Sequence, residues 1–97
     1  MTIVRDVIPV SPWQVLDCRH RGERLGQEGV QAILDARARD IAGLRGGVPV
    51  AVLRPDGTLS EWVVSAVEVL HDVPALFIAG ATEQDVPPGS RLSWVET

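Results

Sequence analysis

Val73-Pro74-Ala75-Leu76-Phe77-Ile78-Ala79 is an unbroken apolar run that stops at Gly80. After the connector Ala81-Thr82-Glu83-Gln84-Asp85-Val86-Pro87-Pro88-Gly89-Ser90 comes a second run, Arg91-Leu92-Ser93-Trp94-Val95. The first run has the length and continuity of a strand buried on both faces, and the second alternates as a strand buried on one face does. Together they read as strand, turn, strand, which is the grammar of a small β-barrel or sandwich.

The preceding sequence has the same character. Residues 59–70 read as one long strand, with Trp62, Val64, Ala66 and Glu68 on one face and Val63, Ser65, Val67 and Val69 on the other, and His71-Asp72 turns it into the apolar run. Arg54-Pro55-Asp56-Gly57-Thr58 is a hairpin turn, in which Pro presets φ and Gly accepts a positive φ. Residues 48–53, Val-Pro-Val-Ala-Val-Leu, supply the strand before it. Residues 3–10 are rich in β-branched side chains, and Pro9 and Pro12 mark them as an opening edge strand.

A helix is expected between these blocks, over about 27–45. Val30, Ile33, Leu34, Ala38, Ile41 and Leu44 fall on one apolar stripe at helical spacing. Glu28 near its start and Arg45 near its end complement the macrodipole, and Gly46-Gly47 provides a left-handed stop. The expected fold is a β-rich α+β domain spanning 1–97: a small antiparallel β-barrel with one amphipathic helix inserted after the N-terminal strand or strands, closed so that no strand edge is exposed.

Composition narrows the function classes. A chain of 97 residues with 45% hydrophobic and 23% charged content is an ordinary globular domain, large enough for one core. No apolar stretch approaches the roughly 20 residues needed to cross a bilayer, and the first residues lack the basic and apolar regions of a secretory signal. Cytoplasmic location and no membrane partner are the expectations. Cys18 stands alone, so an internal disulfide is excluded.

All nine basic residues are Arg, and Lys, Asn and Tyr are absent. Those three have A/T-rich codons, so the Arg bias follows from genome composition before it follows from phosphate binding. The net charge of -4 repels polyanions. It is unevenly spread: residues 17–45 carry six Arg against five acids, a balance of +1, and residues 46–97 carry two Arg against seven acids, a balance of -5.

The run Leu76-Phe77-Ile78-Ala79-Gly80, followed after four residues by Asp85-Val86-Pro87-Pro88-Gly89-Ser90-Arg91-Leu92, resembles the closing part of the second-domain β-barrel of elongation factor Tu and related translation GTPases. Ser65-Ala66-Val67-Glu68-Val69 is similar in place to the preceding strand of that barrel. The resemblance covers about 58–95, and Gly80, Asp85, Val86 and Gly89 carry it. It implies a barrel that holds RNA ends or protein partners. The GTPase does not come with it, because a chain without Lys cannot build a Gly-x-x-x-x-Gly-Lys-Ser/Thr loop.

Candidate reactive groups are few. Cys18 lies two residues from His20, but adjacency alone does not supply the base geometry or the oxyanion donor that a nucleophile needs, and Cys18 reads as a small hydrophobe. With His71, these residues fall short of the usual four zinc ligands. No catalytic residue, metal or cofactor is therefore assigned. The candidate partner-contact residues are Arg19, His20, Arg21 and Arg24 in a polar loop over 19–26, together with Trp13, Trp62 and Trp94, which read either as a stacking set or as core. Three functions follow: a non-catalytic protein-interaction or adaptor module, an RNA- or ribosome-associated accessory protein, and a small-ligand binder with its pocket between helix and barrel. A homodimer is compatible with each.

Overall fold

The computed structural model of the chain describes residues 2–10 and 28–95. Among the described residues the strands are β1 (Thr2–Val10), β2 (Gly29–Leu34), β3 (Pro49–Leu53), β4 (Leu59–Val63), β5 (Ala66–Leu70), β6 (Val73–Ala79) and β7 (Arg91–Ser93). They form one sheet in the order β4-β3-β7-β1-β2-β6-β5, antiparallel at every pairing.

The helix expected over 27–45 is not there. Its first turn and a half is β2, in which Val30, Ala32 and Leu34 alternate inward between β1 and β6. Val30 and Leu34 satisfy a helical period as well as a strand period, Ile33 fits the helical one alone, and six residues are too few to separate the two. Pairing on both sides decides for the strand. Gly29 adds a steric reason, because a Cβ there would fall against the carbonyl oxygen of Ile78 on β6. The rest of the stripe becomes a short 3-10 turn, Ala38–Ile41, that buries Ile41 and leads to buried Leu44. Without a helix, the pocket expected between helix and barrel has no second wall.

The sheet is also not closed. Its end strands, β4 and β5, are the two halves of the single strand expected over 59–70, and they break at Val64-Ser65. Val64 still belongs to the β3 side, donating its N–H to Val48 O at 3.0 Å and accepting from Gly47 N–H at 2.7 Å. Ser65 turns the other way: its N–H donates to Phe77 O at 2.8 Å, and its hydroxyl accepts the Ala79 N–H at 3.1 Å. The inward alternation slips by one residue at this corner, so that Val67, and not Ala66, follows Trp62 and Val64 against the core.

Two further expectations change. β1 is an interior strand, paired with β2 along most of its length and with β7 through Thr2 and Ile3. Pro9 is tolerated there because β7 accompanies only the start of β1, so the missing N–H meets no partner strand. β6 and β7 do not form a hairpin with each other: β6 lies between β2 and β5, and β7 between β3 and β1. The connector between them crosses from one half of the sheet to the other, with Gly80 and Gly89 at φ 81° and 89°.

β6 itself is as expected, with Pro74, Leu76, Phe77 and Ile78 all buried. Its hairpin with β5 closes through His71 and Asp72, both at positive φ, the geometry that matches strand twist in a two-residue turn. The Arg54 to Thr58 turn is also as expected, with Gly57 at φ 90°. Val4, Leu34, Val50, Val52, Leu76, Ile78 and Leu92 project into one interior that excludes water almost completely.

Candidate functional site

Side chains that alternate away from this interior form the outer face of β4, β3 and β7, and cross-strand register sorts them into rows. Leu59 pairs with Leu53, Leu53 with Arg91, and Arg91 with Ile3; the next row is Glu61, Ala51 and Ser93; beyond it, Val63 pairs with Pro49. The middle row carries small side chains at Ala51 and Ser93, and the outer rows carry exposed Leu59, Val63 and Ile3. Small residues flanked by larger ones make a depression. Pairing of β3 with β7 ends at Ala51 and Ser93, and the chain then diverges through Trp94 and Val95. The resulting cleft, of about 620 Å³, is lined by Pro49, Val50 and Ala51 of β3 together with Glu61, Ser93 and Trp94.

Glu61 is the charged side chain of this cleft among the described residues. Trp94 is held by its indole N–H, which donates to Ala42 O at 3.1 Å, and its ring packs partly on the core. Trp62 is similar, donating Nε1–H to Ser60 Oγ at 3.2 Å and packing on the same core from β4. Both tryptophans are partly buried against the core, and Trp94 also borders the cleft. Trp13, Cys18, Arg19, His20, Arg21 and Arg24 lie outside the described residues.

One end of the β3-β4 hairpin is fixed by Arg54. Its Nε donates to Asp85 O at 2.9 Å, Nη1 to Thr58 Oγ1 at 3.0 Å and Nη2 to Ser60 Oγ at 3.4 Å, and Nη2 lies 3.8 Å from Asp85 Oδ1. Asp85 in turn accepts the N–H and O–H of Thr82 at 2.8 and 3.0 Å. In the hairpin tip, Asp56 accepts the Thr58 hydroxyl at 2.6 Å and the Thr58 N–H at 2.9 Å. These bonds stabilise its charged form and hold the carboxyl below the usual carboxylate value.

A second, smaller hollow of about 400 Å³ lies on the outer face of β1, β2, β6 and β5, where Ile8, Ile33 and Leu70 meet Arg5, Glu68 and His71. Its charges are of both signs, and part of its floor is on the interior strands β2 and β6. The β3 cleft differs in carrying one charged side chain, Glu61, among the described residues. Sequence reasoning pointed at Trp94 but missed Glu61, Ala51 and Ser93; the signal for them was the alternation of small and large outward residues, visible only once β3, β4 and β7 are placed in register.

Comparison with known protein families, with characterised proteins and with solved structures finds no match to this chain. No helix among the described residues is long and apolar enough to cross a membrane.

Proposed function

We propose that this chain is a non-catalytic protein-interaction module, a small β scaffold of the kind that residues 58–95 resemble in the second domain of translation GTPases, and that its working surface is the β3 cleft. The observation that carries this reading is the composition of the cleft. Small side chains at Ala51 and Ser93, apolar Pro49, Trp94 and Val95 beside them and the Glu61 carboxylate provide burial plus one orienting charge, which is the usual make-up of a recognition surface. The residues that carry the resemblance serve the frame around it: Gly80 and Gly89 take positive φ, Val86 is fully buried, and Asp85 closes the connector turn.

The test is photo-crosslinking in the source cells, with a benzophenone side chain placed at Ser93 in the cleft or at Gln31 on the other outer face. A discrete protein adduct from position 93, absent from position 31 and lost when Ala51→Arg fills the cleft, is the expected result. Adducts that are indifferent to position or to Ala51→Arg would remove the reading.

A further inference from the structure

We infer that β4 is a strand-addition edge, and that its occupant is an extended peptide carrying a basic residue at its centre. The inference rests on the interaction reading above and specifies the partner chemistry.

The backbone pattern of the hairpin supplies the geometry. Arg54 N–H donates to Thr58 O, and Val64 N–H donates to Val48 O, one pair at each end of the β3-β4 ladder. Hydrogen-bonded pairs alternate in an antiparallel ladder, so Val52 with Ser60 and Val50 with Trp62 are the bonded pairs between them. The N–H and C=O groups of Leu59, Glu61 and Val63 therefore point away from β3, to the side where no described strand pairs. The other end of the sheet is different. There the segment 38–47 is bonded just past both ends of β5, Ala38 N–H donating to Asp72 O and Gly47 N–H to Val64 O. Free edges are commonly protected by Lys, Pro or a covering segment. β4, Leu-Ser-Glu-Trp-Val, has neither Lys nor Pro.

The side chains of the same three residues select the occupant. Leu59 and Val63 are 69% and 56% exposed, and Glu61 lies between them on the cleft side. An added strand would place apolar side chains beside Leu59 and Val63 and a cation beside Glu61, in the pattern apolar-x-basic-x-apolar. A second copy of the chain is the obvious competitor. A two-fold pairing of β4 with β4 that uses the whole strand is centred on Glu61 and sets two carboxylates directly opposite each other, which is unfavourable. A basic peptide turns the same position into an attraction.

The probe is a blocked pentapeptide, Val-Thr-Arg-Thr-Val, titrated into the full chain and followed by backbone amide shifts, with two controls: the same peptide with Glu at its centre, and the Arg peptide N-methylated at its first, third and fifth residues. Shifts centred on Leu59, Glu61 and Val63, loss of binding on N-methylation, and about fivefold weaker binding to Glu61→Gln are expected. Glu61→Arg should reverse the preference toward the Glu peptide. Equal binding of the Arg and Glu peptides, indifference to N-methylation, shifts centred elsewhere, dimerisation through β4, or no binding at millimolar peptide would each overturn the inference. A position-93 adduct that survives both Glu61→Gln and excess Arg peptide would leave the interaction reading standing and remove strand addition alone.

Discussion

Gly29 shows how one missing side chain can hold two strands together. The backbones of β2 and β6 approach so closely at Gly29 and Ile78 that a Cβ would collide with a carbonyl oxygen, and the oxygen belongs to backbone that cannot swing aside. Gly29→Ala is expected to destabilise the chain by about 2–4 kcal/mol, read as a lower urea midpoint with an unchanged slope. Asp56 gives a gentler test. Its folded value is depressed, so its contribution is present above the unfolded value and is lost as pH falls through the folded one. An NMR titration should place Asp56 below the usual aspartate range, and Thr58→Ala, which removes the leading cause, should move it back up. An unchanged Asp56 titration in that variant would sink the assignment.

At the scale of the element, the corner between β4 and β5 controls how the two halves of the sheet meet. Ser65 bonds to β6 twice, through its N–H to Phe77 O and through its hydroxyl from Ala79 N–H. Ser65→Ala leaves the Ala79 N–H without its acceptor, and a loss of about 1–2 kcal/mol is expected, with faster amide exchange at Ala79. If Ala79 exchange stays as slow as in the wild type, the corner is held by something else. The corner also marks where the sequence stopped being readable. Turns with a chemical cause were legible: Pro55 and Gly57, His71 and Asp72, and the apolar run of β6. The break at Val64-Ser65 was not, because alternation continues through it on paper and only pairing with β3 and then β6 shifts its phase. β2 is ambiguous for a related reason: Val30 and Leu34 fit two periods, and the partners that choose between them lie far off in sequence. The middle row of the cleft was hidden likewise, since Glu61, Ala51 and Ser93 meet only through cross-strand register.

For the whole molecule, the Arg54 cluster ties the β3-β4 hairpin to the connector that crosses between the sheet halves. One guanidinium reaches Thr58 and Ser60 on the hairpin and Asp85 on the connector, while half-shielded from water. Arg54→Met keeps much of the packing and removes the bonds. It should lower stability by about 1–2 kcal/mol and weaken peptide binding at β4 by loosening the hairpin. A variant as stable as the wild type in a urea melt would show that the connector needs no tether.

β7 is three residues long, yet it alone lies between β3 and β1. The sheet half that bears the cleft therefore reaches the rest through a keystone that is late in the chain, and its partner β1 is early. During synthesis β3 has no strand to pair with on its side away from β4 until Leu92 has emerged. Folding should accordingly be slow for the chain's size, as it is when distant segments must find each other first, and should finish in a single step in which both halves lock together.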